Sequence, residues 1–138
     1  MKLKLGITAL AVLTAGALVP AIALSSRSAS TVTFRMVEWD TLPTTATKAR
    51  PGKVTFVVRN AGKIEHEFVV IKTAAAAGNL APAGAAEAPE KGAVGEIEEI
   101  APGEVKRLTL TMTKGHYALL CNLPRHYSSG QFVDFYVR

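Results

Sequence analysis

The chain has 138 residues, with 16 Lys and Arg against 11 Asp and Glu for a net charge of +5, and 49% of its residues are hydrophobic. This length suits a single domain, and the hydrophobic fraction excludes a chain that is disordered throughout. A single cysteine excludes an intramolecular disulfide scaffold. The modest charge and the 7% aromatic residues give no support for a nucleic-acid-binding protein, in which Lys and Arg usually cluster.

The N-terminus has the pattern of an export signal. Lys2 and Lys4 precede an apolar run over residues 5–24, and Ala21 and Ala23 form an Ala-x-Ala cleavage pattern within it. An uncleaved membrane anchor is the alternative, since about 20 apolar residues can just cross a bilayer. In either case the rest of the chain is expected outside the cytoplasm, as a periplasmic or secreted domain.

We therefore predict a leader or anchor over residues 1–30 and one domain over residues 31–138. Removal of Lys2 and Lys4 leaves 14 basic against 11 acidic residues, so that the exported part carries only about +3. That charge does not by itself indicate any class of partner. About 110 residues are enough for one hydrophobic core.

The exported part has the pattern of an all-β domain. Short segments alternate polar and apolar residues or are rich in β-branched and aromatic residues, with Gly, Pro and Asn between them. In the first segment this alternation places Val32, Phe34 and Met36 on one face. Several such strands indicate a β-sandwich or a small barrel. The predicted strands cover residues 31–37, 53–59, 67–71, 106–113, 116–121 and 132–137.

One segment, residues 73–95, does not fit the strand pattern. It is dominated by Ala, Gly, Pro and Glu, and it contains no aromatic residue. Its prolines and glycines break any long helix. We predict a mobile loop that joins two edges of the sandwich.

Cys121 stands at the end of a predicted strand. In an exported protein a lone thiol can be a buried inert residue, one half of an intermolecular disulfide, or a metal ligand. Tyr117, Leu119 and Cys121 share one strand face, which predicts an inward thiol and disfavours the disulfide. His126 lies five residues later in a short loop with Pro124, which favours the metal.

His66 offers a second imidazole at the start of another predicted strand. A thiolate, two imidazoles and one weak further donor are the ligands of a type 1 copper site. Taken alone, His66 would more often be a structural residue, but its pairing with Cys121 and His126 in one exported β domain favours the ligand role. Zinc also suits Cys and His ligands.

The sequence resembles the cupredoxins, the plastocyanin and azurin superfamily of small blue copper proteins. The resemblance is carried by residues 52–70, by Ala-Pro-Gly-Glu at 101–104 and by Gly-His-Tyr-Ala-Leu-Leu-Cys-Asn-Leu-Pro-Arg-His at 115–126. It implies a Greek-key β-sandwich and a single copper ion as cofactor. It also implies the ligands of that copper, which are His66, Cys121, His126 and, at the axial position, Gln131.

Two residues depart from the pattern of this family. Relatives usually have Met at the axial position, where this chain has Gln131, and Gly before the loop histidine, where this chain has Arg125. An amide oxygen is a harder donor than a thioether, so an axial Gln131 would lower the reduction potential. The alternative is that Gln131 has lost the ligand role. Arg125 would bias docking toward acidic partners, and it would be strained if the loop requires a positive φ there.

Other residues near the predicted site receive smaller roles. The backbone N–H of Glu67 is a candidate donor to the sulfur of Cys121. His116 shares its face with Ala118 and Leu120 and is predicted at the surface or a sandwich edge. Trp39 is interpreted as a core or edge residue. Phe34 has the same interpretation, and Met36 and Met112 are assigned to the core.

These residues predict an electron carrier that moves one electron at a mononuclear copper and exchanges it with redox partner proteins as a monomer. A copper chaperone or storage protein is the alternative, although the chain has neither a Met cluster nor a His run. A metal-free cupredoxin-fold module with a degenerate site is a third reading. An enzyme is disfavoured, because no oxyanion-forming Gly loop or orienting Asp or Asn accompanies Cys121 and His126.

Overall fold

The structure is a computed structural model that describes residues 29–43 and 46–138, with only the backbone described at 41–43. The described residues form nine strands. In chain order these are β1 Ser30–Val37, β2 Asp40–Pro43, β3 Lys48–Ala49, β4 Gly52–Asn60, β5 His66–Lys72, β6 Ala93–Ile100, β7 Val105–Met112, β8 Gly115–Leu120 and β9 Phe132–Val137. The predicted leader lies outside the described residues except for its last two. No helix in the described part of the chain is long and apolar enough to cross a membrane.

The strands form two sheets, which confirms the all-β prediction. One sheet has the order β2-β1-β4-β7, and the other has the order β3-β9-β8-β5-β6. Strand β1 runs parallel to β4, and β3 runs parallel to β9, whereas the other pairs are antiparallel. The chain crosses between the sheets five times, after β2, β3, β4, β6 and β7, so that β4 and β5 belong to different layers.

All six predicted strands are present, with bounds shifted by at most one or two residues. Three further strands were not predicted, namely β2, β3 and β6. Strand β6 begins at Ala93, so the predicted 73–95 loop ends three residues earlier than expected. Most side chains of β6 are exposed, and an edge strand of this kind carries no alternating apolar signal.

Four phenylalanines form the centre of the core between the sheets. Phe34 and Phe56 come from one sheet, and Phe68 and Phe135 come from the other. All four are fully buried, and their ring centroids lie 5.4–6.4 Å apart in the recorded pairs. Val32, Phe34 and Met36 are buried on one face of β1, as the alternation predicts.

Residues 73–92, here called the 73–92 segment, pack against the outer face of the second sheet. Ala77 and Ala88 are buried in a second apolar cluster with Ala118 and Leu120 of β8. The segment is therefore not an excursion away from the sandwich but a cover on this sheet. Composition gave no signal for this contact, since the segment contributes small side chains whose burial depends on the sheet beneath them.

Candidate metal centre

Three side chains from two parts of the chain meet at one end of the sandwich. His66 is the first residue of β5, Cys121 directly follows β8, and His126 lies in the loop before β9. Sγ of Cys121 is 3.1 Å from Nδ1 of His126 and 3.8 Å from Nδ1 of His66. One ligand atom from each residue lies within 4.8 Å of the other two, and all three residues are buried.

The environment of Cys121 fixes its position and keeps its proton. The backbone N–H of Glu67 donates to Sγ at 3.3 Å, as the sequence predicts, and the backbone N–H of Cys121 donates to the carbonyl of Gln131. Burial raises the pKa of the Cys121 thiol to about 11. The thiol is free and inward-facing, which disfavours the intermolecular disulfide.

The two histidines are held in the neutral form that a metal requires. Burial lowers the pKa of His66, with a further contribution from the neighbouring His126, and burial likewise lowers the pKa of His126. The amide nitrogen of Gln131 lies 3.1 Å from Nδ1 of His66. Because an amide nitrogen only donates, Nδ1 of His66 is the acceptor in this contact, and the proton of the neutral ring lies on Nε2.

Gln131 is fully buried beside His66, where the resemblance to the cupredoxins expects the axial ligand. Its amide nitrogen also lies 3.0 Å from the carbonyl oxygen of Val37 and 3.4 Å from that of Asp40. The amide oxygen Oε1 and Nε2 of His66 are buried without a hydrogen-bond partner among the described residues. Such unpaired polar atoms are rare in folded proteins, so the amide oxygen is an unused acceptor next to the cluster.

The loop that carries His126 is closed on itself by backbone hydrogen bonds. The N–H of His126 donates to the carbonyl of Leu123, and the N–H of Gln131 donates to the carbonyl of His126. Arg125 has φ 71, in the left-handed region that favours glycine. The backbone strain expected from an Arg at the position where relatives have Gly is therefore present.

The 73–92 segment is bonded to the same loop. The side-chain amide of Asn122 exchanges two hydrogen bonds with the backbone of Ala88, at 2.7 and 3.0 Å. The hydroxyl of Tyr127 accepts from the N–H of Leu80 and donates to the carbonyl of Ala77. The segment thus fixes the loop on both sides of His126.

Trp39 lies at this end of the sandwich as well, which sequence reasoning missed. It occupies the turn between β1 and β2, and its ring centroid is 5.4 Å from that of His126 at an interplanar angle of 81°. It is 51% exposed, which excludes the core, and it lies in the turn that leads into the edge strand β2. No local pattern could place an aromatic at a hairpin turn against a loop 87 positions away in the chain.

His116 and the predicted core methionines lie apart from the cluster. His116 is partly buried, with Nε2 2.7 Å from Oδ1 of Asp134 and Nδ1 3.0 Å from the carbonyl oxygen of Thr73. Met36 and Met112 are buried in the apolar core, as predicted. His66, Cys121 and His126 are the one His/Cys/Asp/Glu group found in the described residues with metal-binding spacing. A thiol and two imidazoles are the donors of type 1 copper, and copper is the cofactor that this group fits.

Solved structures share this architecture. Auracyanin from the photosynthetic bacterium Roseiflexus castenholzii superposes with a TM-score of 0.60 at 19% identity, over 79% of this chain and 97% of that chain. Auracyanin A, a "blue" copper protein from Chloroflexus aurantiacus, gives 0.59 at 20% identity, over 80% and 100% of the chains. Rusticyanin from Thiobacillus ferrooxidans gives 0.55 at 19% identity, over 80% and 77% of the chains.

One characterised protein is similar in sequence. The copper-resistant cuproprotein CopI of Rubrivivax gelatinosus is 32% identical over 117 residues, which cover 77% of this chain and 66% of that protein. No protein-family model matches the chain. The two-sheet architecture, the converging histidines and cysteine and the likeness to auracyanin and rusticyanin agree with one another, and the chain has the cupredoxin fold.

Proposed function

We propose that the chain binds one copper ion through Nδ1 of His66, Sγ of Cys121 and Nδ1 of His126, and that it carries one electron on this ion. The observation that carries the proposal is the convergence of these three buried donors within 4.8 Å. When the copper changes between Cu(II) and Cu(I), one electron enters or leaves and no substrate bond forms or breaks.

The surroundings of the donors favour electron transfer over catalysis. His66 and Cys121 are fully buried, and His126 is 6% exposed, so the cluster offers no open position to a substrate. The hydrogen bonds from Glu67 to the sulfur and from the loop backbone hold the donors in place. A held site needs little rearrangement when the copper changes its charge, which favours rapid one-electron exchange.

Gln131 is the axial ligand in this proposal. Its amide oxygen is buried next to His66 without a partner, although the nitrogen of the same amide is the atom that faces Nδ1 of His66. Ligation by the oxygen therefore requires the amide to turn. That turn would exchange the hydrogen bond to the carbonyl of Val37 for a metal bond.

Substitution tests the axial role directly. Gln131→Met should raise the reduction potential of the copper-loaded protein, because a thioether is a softer donor that favours Cu(I). Gln131→Ala should alter the visible spectrum. Voltammetry and absorption of both variants provide the measurement, and a potential and a spectrum that stay unchanged in both would remove Gln131 from the ligand set.

Copper handling is the second candidate function, favoured by the likeness to the copper-resistant cuproprotein CopI. The chain spans 66% of the length of that protein, so the likeness does not cover all of it. The full chain contains 3 Met and 3 His, which is too few for a solvent-facing copper-storage cluster. A carrier differs from a chaperone in one property: it exchanges electrons much faster than it releases its copper ion.

One experiment separates the two candidates. The copper-loaded protein is mixed with ferricyanide or ascorbate in a stopped-flow instrument, and in parallel the Cu(I) form is mixed with a strong Cu(I) chelator. An electron carrier is oxidised and reduced repeatedly while its copper stays bound for far longer than one cycle. Rapid loss of Cu(I) to the chelator without electron exchange would favour the chaperone, and a failure to bind copper would select the degenerate module.

We propose that the carrier is a monomer outside the cytoplasm and that its partner there is another redox protein. The leader pattern at the N-terminus supports the compartment. The exposed guanidinium of Arg125 directly precedes His126 and has no ion pair among the described residues, which supports a partner with acidic groups.

A further inference from the structure

The ring of His126 does not reach solvent freely. This histidine is 6% exposed, and Trp39 packs edge-to-face against it with the ring centroids 5.4 Å apart. Trp39 itself is 51% exposed. A molecule that approaches the metal cluster from this side therefore meets the indole of Trp39 before it meets the imidazole of His126.

The backbone at Trp39 is strained. Its φ is 66, a left-handed value that glycine, asparagine and aspartate adopt far more readily than a bulky aromatic residue. Strained residues persist where the surrounding structure holds them, and they concentrate at functional sites. Glycine would relieve the strain at this turn, so the packing of the indole on His126 has to offset that strain.

The turn that carries Trp39 is fastened on two sides. The carboxylate of Glu38 accepts hydrogen bonds from the backbone N–H groups of Lys63 and Ile64 in the loop before β5. On the other side, the amide of Gln131 lies within hydrogen-bond distance of the carbonyl oxygens at both ends of the turn. The indole is thus held beside His126 while its outer face stays open.

The residues around the indole indicate which kind of partner surface can contact it. Ile64 is 40% exposed and neighbours the same turn through the bond from its N–H to Glu38. Lys63 and Arg125 add exposed positive charge, and Glu65 and Asp40 add exposed negative charge. The carboxylate of Glu38 is already engaged by backbone donors, and the other four charges are two positive and two negative. An apolar contact is therefore the dominant feature of this surface, and the acidic groups proposed above for the partner would meet Arg125 beside it.

We propose that Trp39, rather than the edge of His126, is the residue by which the copper site contacts its redox partner, and that the partner presents an apolar patch to it. This inference rests on the proposed one-electron function. The electron passes between the copper and an oxidised or reduced protein partner across His126 and the indole, and no covalent bond changes. A flat apolar surface on the partner would remove the exposed ring from water. Aromatic residues are buried in this way at the centres of many interfaces.

The test uses the copper-loaded protein on gold electrodes coated with a methyl-terminated alkanethiol, a flat apolar surface that stands for the partner. Trp39→Gly removes the ring and relieves the strained φ, so the variant is expected to fold. Trp39→Phe keeps an aromatic ring at the same place. Tyr136→Ala is the matched control, since Tyr136 is 43% exposed and its ring packs on His116 rather than on His126.

The electron-transfer rate of Trp39→Gly at this electrode should fall about tenfold, the effect of removing an aromatic residue from the centre of a contact. Trp39→Phe should retain most of the rate, and Tyr136→Ala should retain all of it. A rate for Trp39→Gly equal to or above that of the original chain, with an unchanged visible spectrum, would overturn the proposal and assign the contact to His126. A chain without the copper spectrum would instead refute the proposed function.

The placement of the indole has its own readout. Trp39 is the one tryptophan in the sequence, so intrinsic fluorescence reports on it alone. One equivalent of Cu(II) should strongly quench this emission because the ring contacts His126. Emission that does not change while copper binds would contradict the contact on which the inference depends.

Discussion

The thiol of Cys121 lies in an environment that opposes its ionisation in the absence of a metal. Burial raises its pKa to about 11 from an ordinary 9.0, although the N–H of Glu67 points at the sulfur. A metal ion must therefore displace the proton of this thiol when it binds. Burial disfavours the free thiolate because its negative charge is uncompensated, and a bound metal cation would compensate that charge.

This pKa predicts how the stability of the metal-free protein depends on pH. The folded-state pKa of Cys121 is above the unfolded value, so its contribution to stability is complete below pH 9 and is lost as the pH rises toward 11. The free energy of unfolding should fall over this range by about 2–3 kcal/mol more in the original chain than in Cys121→Ser. Urea unfolding at several pH values measures it, and equal losses in both proteins would contradict the raised pKa.

Sequence and structure agree best on residues whose chemistry is rare. The pattern of one cysteine and two histidines predicted His66, Cys121 and His126 as a group, and the family resemblance added Gln131; the structure brings all four together. The contact of Trp39 with His126 was not predicted, because the direction of a turn side chain depends on packing between distant segments. No sequence rule gave the exposure of that ring.

The 73–92 segment and the loop of residues 121–131 act together as one element pair. Asn122 and Tyr127 bond the segment from either side of His126. This contact escaped prediction because it uses backbone groups of a small-residue segment, which leave no periodic pattern. The strands were predictable for the opposite reason, since alternation follows directly from the two faces of a sheet.

Removal of one hydroxyl tests this pairing. Tyr127→Phe keeps the ring against Phe132 but leaves the N–H of Leu80 and the carbonyl of Ala77 without their partner. We expect a loss of about 1–3 kcal/mol in the free energy of unfolding, the usual effect of unpaired buried polar groups. Chemical denaturation provides the measurement.

Tyr136→Phe is the control for this experiment, because Tyr136 is exposed on β9. It should change the free energy of unfolding by no more than about 0.5 kcal/mol. If both variants lost the same small amount, the bonds of Tyr127 would not hold the segment to the loop.

The whole molecule depends on the aromatic core between its two sheets. Phe56 contacts the rings of Phe34, Phe68 and Phe135 and is fully buried. Phe56→Ala should lower the free energy of unfolding by about 3–5 kcal/mol, since it removes a large apolar group and leaves a cavity. A domain of this size has a total stability of about 5–15 kcal/mol, so the variant should unfold at markedly lower denaturant.

The exposed aromatic Tyr136 again offers a comparison. Tyr136→Ala should lose clearly less free energy of unfolding than Phe56→Ala, because Tyr136 remains 43% exposed and lies outside the aromatic core. A change below about 1 kcal/mol for Phe56→Ala would contradict a core centred on the four phenylalanines.

The central claim is that His66, Cys121 and His126 hold one copper ion with a bond from the thiolate to the metal. The most direct test is the visible absorption spectrum of the purified protein during titration with Cu(II). The account predicts an intense thiolate-to-copper band that saturates at one equivalent and is lost in Cys121→Ser. A protein that stays colourless, or a band that persists without the sulfur of Cys121, would contradict it.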